Sequence, residues 1–128
     1  MIWLPSVSEI LRLHSKLISM SGGSDGVRDL GLIESAIARA QSGFGSFDLY
    51  PDVESKAAAL CCGLAKNHGF IDGNKRIGTA ALLLVLAKNG YELRFTQSEL
   101  VALGLGVATS LTVADVVKWI QAHSATRS

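Results

Sequence analysis

The segment 67–76 brings together the residue types that phosphate chemistry requires, and it reads Asn-His-Gly-Phe-Ile-Asp-Gly-Asn-Lys-Arg. Lys75 and Arg76 fall in the first turn of a predicted helix, where the helix dipole makes a cation unfavourable by about 0.3–1 kcal/mol. A bound anion would offset this cost, because free backbone N–H groups and both cations would converge on it. The spacing therefore predicts a phosphate site formed by Gly73, Asn74, Lys75 and Arg76.

Two further side chains of the same segment could act on a bound phosphate. Asp72 directly precedes the predicted anion site and can hold Mg²⁺ against a phosphate. His68, at the other end of the loop, could take a proton from an incoming hydroxyl. Taken singly, His68 could cap a helix and the Lys-Arg pair could be solvated surface. The two cations at a helix start favour an anion site and group transfer from a nucleotide.

The elements that must position this segment are helical nearly throughout. Apolar spacing predicts six helices, and capping boxes open three of them, at Ser6–Glu9, Thr96–Glu99 and Thr112–Asp115. The first four helices are predicted at 7–20, after Asp29, at 52–67 and from 74 to 89. The fourth is apolar all round, which predicts a central helix covered on every side.

Local signals predict how these helices end. Gly69 is expected to take a left-handed conformation after His68, Asn74 to be an N-cap, and Gly90 to follow the fourth helix. Residues 91–95 could form a short strand, but the pattern offers it no partner in the core.

Length and composition limit the class of protein. The chain has 128 residues, of which 48% are apolar and 18% charged, and this predicts one globular domain over 1–128. A net charge of +1 argues against a strongly basic nucleic-acid binder or a polybasic membrane-surface protein. The adjacent Cys61 and Cys62 form no disulfide framework, and the longest apolar run, 77–87, is too short to cross a bilayer. We therefore expect a cytoplasmic protein with no membrane and no direct nucleic-acid partner.

The pattern His68-x-Phe70-x-Asp72-Gly73-Asn74-Lys75-Arg76 resembles the signature of the Fic/Doc family, specifically its death-on-curing (Doc) branch. Residues 26–39 are similar to the second-helix segment of that branch. The resemblance implies an all-α, compact Fic/Doc-like bundle of about six helices around a central apolar helix.

The resemblance also implies a function. Doc-type proteins are toxins of type II toxin–antitoxin pairs, and they transfer a phosphate from ATP to a threonine of translation elongation factor Tu. By position, His68 would be the general base, Phe70 its buried anchor and Asp72 the Mg²⁺ ligand. The phosphates would be held by Gly73, Asn74, Lys75 and Arg76. The segment from Phe44 to Phe47 would lie in or near the flap that aligns the target segment.

Departures from the Fic pattern favour phosphate transfer over AMP transfer. Fic enzymes have glycine where this chain has Lys75 and arginine where it has Thr79, so a nucleotide should not lie here as it does in AMP-transferring relatives. Gly73 stands where many Doc proteins have alanine. None of the five glutamates fits the inhibitory helix of Fic proteins, so we expect an external inhibitor, a small antitoxin whose helix fills a groove beside the motif.

Other functions stay open at this point. The chain could be a Fic-type AMP transferase or a catalytically inactive regulator that binds an antitoxin. A zinc enzyme is disfavoured because the histidines and cysteines lack metal-ligand spacing. A helical DNA-binding module within 96–120 is disfavoured because its candidate recognition helix has one lysine and no arginine. Arg28, Asp29 and Glu34 are interpreted as structural ion-pair residues near the site.

Overall fold

Six helices and four short strands follow one another in the computed structural model, which describes residues 1–41, 43–44 and 47–126, with only the backbone of 43–44, 47–48 and 126. In chain order they are α1 (Val7–Ser21), α2 (Leu30–Gln41), β1 (Gly43–Phe44), β2 (Phe47–Asp48), α3 (Val53–Asn67), α4 (Asn74–Lys88), β3 (Glu92–Leu93), α5 (Gln97–Thr109), α6 (Val113–His123) and β4 (Ser124–Thr126). The all-α prediction is confirmed.

Capping side chains fix where the helices begin. Reciprocal capping boxes open α1, α5 and α6 at the three predicted pairs, Ser6–Glu9, Thr96–Glu99 and Thr112–Asp115. A further box at α3 joins Asp52 to Ser55, so Asp52 is the N-cap of that helix and lies just outside it. Gly90 follows the C-cap of α4 with a φ of 87°, as predicted.

The core lies around α3, which contacts α2, α4, α5 and α6. Small apolar residues such as Ala57, Ala58 and Cys61 are fully buried there, and they let the neighbouring helices approach closely. Helix α4 packs on α3, α5 and α1, but one face of it, at Ala80 and Leu83, is only half-buried. The apolar α4 is therefore covered on all sides but one.

The short strands form two antiparallel pairs. The backbones of β1 and β2 pair directly, with Gly43 opposite Asp48 and Phe44 opposite Phe47. Strand β3 pairs with β4, so the expectation that 91–95 has no partner is wrong. The partner of β3 is the Ser-Ala-Thr sequence after α6, which lacks the alternating apolar pattern that would predict a strand. No helix in the described part of the chain is long and apolar enough to cross a membrane.

Candidate active site

The predicted site loop joins α3 to α4, and its first residue adopts an uncommon backbone conformation. His68 is the C-cap of α3 and is left-handed, with a φ of 54°. The prediction that Gly69 takes this conformation is wrong. Glycine is required at 69 for space instead, because a Cβ there would lie 2.5 Å from Cγ1 of Ile33. The loop can thus approach α2 closely only with glycine at this position.

The loop between α1 and α2 holds the site loop through main-chain bonds. The amides of Arg28 and Asp29 donate to the carbonyl oxygen of Gly69 at 2.8 and 2.9 Å, and the amide of Ile71 donates to Gly26 at 3.1 Å. The Arg28 side chain adds a bond from Nε to the carbonyl oxygen of His68 at 2.7 Å. The sequence suggested an ion pair for Arg28, whereas its described bonds go to backbone carbonyls.

Phe70 anchors the middle of the loop in the core, where it is 2% exposed. Its ring stacks on the imidazole of His14, with centroids 3.7 Å apart. The side chain of Asn74 clamps the Phe70 backbone, since Oδ1 accepts from its amide at 3.1 Å and Nδ2 donates to its carbonyl at 3.0 Å. Asn74 is therefore the first residue of α4, and the prediction that it is the N-cap is wrong because Gly73, with a φ of 77°, has that role.

The carboxylate of Asp72 accepts two backbone hydrogen bonds, from Ser24 at 3.1 Å and from Gly73 at 2.8 Å. These bonds, followed by the charge of Arg76, hold the pKa of Asp72 below its usual value, so the group is ionised at neutral pH. Because the Gly73 amide is engaged in this way, it is not among the free groups that the sequence suggested. The N–H groups of Asn74, Lys75 and Arg76 have no acceptor within the described residues.

The two cations at the start of α4 behave differently. Arg76 turns towards the end of α1, where Nη1 donates to Oγ of Ser21 at 2.7 Å and to the carbonyl oxygen of Gly22 at 2.8 Å. Lys75 is exposed, and its ammonium group has no hydrogen-bond partner in the part of the chain that the structure describes. Lys75 is thus the cation whose side chain is available to a ligand.

A cleft of about 480 Å³ brings the predicted site residues together. His68 is exposed at its edge, and its ring makes no hydrogen bond with any described residue. The cleft is lined by His68, Ile71, Asp72, Gly73, Asn74, Lys75, Arg76 and Ala108. An exposed imidazole, an ionised carboxylate, a free ammonium and a helix N-terminus therefore open on one space.

A second cavity, here called the apolar groove, adjoins the cleft and has a volume of about 460 Å³. Lys75 and Arg76 line both cavities. Side chains from α1, α4 and α5 form the rest of its wall, chiefly Leu17, Met20, Ala80, Leu83, Leu100, Val101, Gly104 and Leu105. The uncovered face of α4 is therefore one wall of this groove.

Comparison with known proteins agrees with this geometry. The model of the Fic/DOC family matches residues 4–86, which include α1 to α3, the whole site loop and all but the last two residues of α4. This chain belongs to the Fic/Doc family. Two curated Doc proteins are similar to it. Toxin Doc of Mycolicibacterium smegmatis is 47% identical over 72 residues, which are 56% of this chain and 55% of that protein. Protein kinase doc of Escherichia phage P1 is 33% identical over 117 residues, 88% of this chain and 91% of that protein.

The residues of the Fic/Doc cleft fit a magnesium–nucleotide complex. The described residues contain no group of three or more His, Cys, Asp or Glu side chains that could hold a metal alone. Mg²⁺ is commonly bound by one or two carboxylates together with substrate phosphates and water, so one ionised carboxylate suffices. Asp72 would supply it, and the free N–H groups of α4 with Lys75 would take the phosphate charge.

Two residues beside the Fic/Doc motif were not assigned to the site from the sequence. His14 lies on the buried face of α1, one turn from Ile10 and from Ile18, and a polar ring at such a position is a signal in itself. For Arg28 the sequence suggested an ion pair near the site, but not its bonds to the carbonyls of Asn67 and His68, because these form only when the two loops meet. Of the residues expected in or near a flap, Phe44 and Phe47 are described by their backbones alone, in β1 and β2, and residues 45–46 lie outside the described residues.

Proposed function

We propose that this chain is the toxin of a type II toxin–antitoxin pair, and that it transfers the γ-phosphate of ATP to a threonine hydroxyl of a translation factor, elongation factor Tu. The observation that carries the proposal is the cleft, in which the exposed imidazole of His68 and the ammonium of Lys75, neither bonded to a described residue, open on the N-terminus of α4. The names of the two relatives, a toxin and a protein kinase, support the same function.

In the proposed reaction each site residue has one task. The target hydroxyl gives its proton to the imidazole of His68 as its oxygen bonds to the γ-phosphorus. The bond from that phosphorus to the β–γ bridging oxygen breaks, and ADP leaves. Lys75 and the N–H groups of α4 stabilise the charge on the phosphate oxygens, and Asp72 orients the bound nucleotide. When bound, Mg²⁺ would neutralise part of the phosphate charge.

Lys75 distinguishes phosphate transfer from the alternative, AMP transfer. Its side chain stands on the first turn of α4 and lines the cleft, where Fic enzymes have glycine. A glycine would let a phosphate approach the backbone more closely, whereas the lysine fills that space and adds a charge. This difference favours a nucleotide whose terminal phosphate faces His68.

The apolar groove supports a second part of the proposal, an antitoxin partner. Its exposed apolar side chains include Met20, Val101 and Leu105, which are 74%, 52% and 53% exposed. An amphipathic helix laid into a groove of this kind buries its apolar face and is a common recognition mode. Because Lys75 and Arg76 border the groove, a helix seated there would also lie against the phosphate site and could block it.

Labelled ATP tests the proposal. Purified chain, Mg²⁺ and a translation extract would be incubated with ATP labelled at the α- or the γ-phosphate. We expect one extract protein, elongation factor Tu, to take label from γ-ATP only. Label from α-ATP would support the AMP transferase. No label from either, with a folded protein, would overturn the kinase proposal and favour the inactive regulator.

A further inference from the structure

His14 is a polar side chain in the core, 1% exposed, and it lies directly beneath the site loop. Its Nε2 is 2.7 Å from the carbonyl oxygen of Asp72. Because a carbonyl can only accept, Nε2 must carry the proton, so this bond fixes the tautomer of the ring. The other nitrogen, Nδ1, lies 3.7 Å from Oδ1 of Asp25. The ring is also held from one side by its stacking on Phe70.

The bond from His14 completes a three-point attachment of Asp72. The carboxylate of Asp72 is held by the amides of Ser24 and Gly73, and its carbonyl is held by His14. The same peptide group leads into Gly73, the N-cap of α4, and a Cβ on Gly73 would lie 3.4 Å from Nε2 of His14. The imidazole therefore supports the turn from which both the carboxylate and the first N–H groups of α4 start.

We propose that His14 is a positioning residue of the active site: its Nε2–H holds the Asp72–Gly73 turn so that the Asp72 carboxylate and the N-terminus of α4 together accept a magnesium–nucleotide complex. The part of this inference that concerns the nucleotide rests on the proposed function. The part that concerns the turn stands on the structure alone, so the two can be tested separately.

Two substitutions of His14 test its hydrogen-bond donor and its aromatic ring separately. His14→Phe keeps an aromatic ring that can stack on Phe70 but leaves the carbonyl of Asp72 without a donor. His14→Gln loses the stack but places an amide N–H near the position of Nε2. If His14 positions the Asp72–Gly73 turn, the glutamine variant should keep the turn in place and the phenylalanine variant should not. A merely structural role predicts the reverse order, since the stack contributes to core packing.

The first measurement uses the protein without nucleotide. Hydrogen–deuterium exchange is followed at the amides of Ser24 and Gly73, which both donate to the Asp72 carboxylate. We expect exchange at both to be about tenfold faster in His14→Phe than in the natural chain, the cost of one partly buried carbonyl left without its donor. The Tyr91 amide, bonded to Leu86 far from the loop, is the internal reference. Unchanged exchange at Ser24 and Gly73 would overturn the inference.

The second measurement is calorimetric titration with a non-hydrolysable imido analogue of ATP at increasing Mg²⁺. We expect His14→Phe to need about tenfold more Mg²⁺ for half-maximal binding, and His14→Gln to stay within about threefold of the natural chain. Equal Mg²⁺ dependence of a folded His14→Phe and the natural chain would overturn the inference. If the natural chain itself bound no analogue, the proposed function would fail, and the exchange result would still decide the role of His14 at the turn.

Discussion

Nε of Arg28 lies 2.7 Å from the backbone carbonyl oxygen of His68 and donates a hydrogen bond to it. Nη2 of the same guanidinium donates to the carbonyl of Asn67 at 3.4 Å. Both acceptors are at the C-terminal end of α3, where carbonyls lack helical partners and the dipole favours a cation. Arg28 thus stabilises the left-handed backbone of His68, a conformation that is uncommon for residues other than glycine.

Removal of the Arg28 side chain should misplace the proposed base without unfolding the protein. We expect Arg28→Ala to lower the free energy of unfolding by about 1.5–3 kcal/mol, the usual contribution of a hydrogen bond from a charged donor, and the rate of transfer by about tenfold. Single-turnover transfer and urea unfolding measure the two effects. Arg28→Lys, which can reach one carbonyl but not both, should be intermediate. Full activity of a folded Arg28→Ala would show that Arg28 does not position His68.

Replacement of His68 tests its proposed role as general base. We expect His68→Asn to lower transfer about 10²–10⁴-fold, the usual contribution of general base catalysis. Asparagine is chosen because it tolerates the left-handed conformation better than alanine does. The exposed ring makes no bond with a described residue, so the free energy of unfolding should change by less than about 0.5 kcal/mol. His68→Ala should be equally inactive, and an active variant would contradict the mechanism.

Substitutions of Lys75 test whether this residue makes the protein transfer phosphate rather than AMP. We expect Lys75→Met, which keeps an unbranched side chain without the charge, to transfer phosphate slowly and with weaker ATP binding. Lys75→Gly also opens the space beside the backbone, and it should lose γ-label and gain α-label. The check is the same pair of labelled ATP molecules for both variants. If the glycine variant behaved like the methionine variant, the charge of Lys75, and not its size, would be the relevant property.

The sequence predicted the helices of this protein well because capping boxes and apolar spacing are local signals. Ser6 and Glu9, for example, sit three residues apart and specify the start of α1 by themselves. Where tertiary contacts compete with local conformational preferences, the local signal predicted the wrong residue. Glycine is the residue that most often ends a helix in the left-handed conformation, so Gly69 was predicted to adopt it. The structure needs glycine at 69 for space beside Ile33 instead, and His68 takes the left-handed conformation.

The residues that line the cleft were easier to predict than the contacts that support them. All seven motif positions cluster in sequence, so their residue types alone indicated a phosphate site. Gly73 is the N-cap of α4 in place of Asn74, whose side-chain amide bonds the Phe70 backbone instead, a contact that depends on the shape of the whole loop. His14 and Arg28 act from other elements, and β4 pairs with β3 across 30 residues of chain or more. Such contacts leave no local pattern.

The antitoxin proposal predicts a partner-specific effect of a charge in the apolar groove. We expect Leu105→Glu to abolish inhibition by the cognate antitoxin, because the carboxylate would be buried against the apolar face of the bound helix. Transfer without antitoxin should be unchanged, since Leu105 is exposed and does not line the cleft. Ala102→Glu, exposed on α5 outside the groove, is the matched control. Inhibition of Leu105→Glu equal to that of Ala102→Glu would place the antitoxin elsewhere.

His123 and Glu99 join the last turn of α6 to the start of α5, with Nε2 of the histidine 2.8 Å from Oε2 of the glutamate. Nδ1 of His123 donates to the Trp119 carbonyl at 2.7 Å. Since acceptors stand on both sides of the ring, the arrangement favours the imidazolium. The hydrogen bond to the Trp119 carbonyl and, to a smaller extent, the hydrogen bond to Glu99 raise the pKa of His123 above its ordinary value of 6.5. The hydrogen bond from the Thr96 amide and, to a smaller extent, the one from His123 lower the pKa of Glu99 below its ordinary value of 4.5.

These shifts predict a window of pH in which the pair stabilises the fold. The contribution of His123 is complete below pH 6.5 and is lost as the pH rises through its raised pKa, whereas that of Glu99 is complete above pH 4.5 and is lost as the pH falls through its lowered pKa. We expect His123→Phe, which keeps the stack on Trp119, to be destabilised most between these two values and least near pH 9. Glu99→Gln, which keeps the capping oxygen, should also be destabilised most in this window, but part of its loss should persist near pH 9 because the bond from the Thr96 amide no longer meets a charge. Urea unfolding across pH measures both, and a loss of stability in His123→Phe that did not vary with pH would mean that packing, not charge, holds α6 to α5.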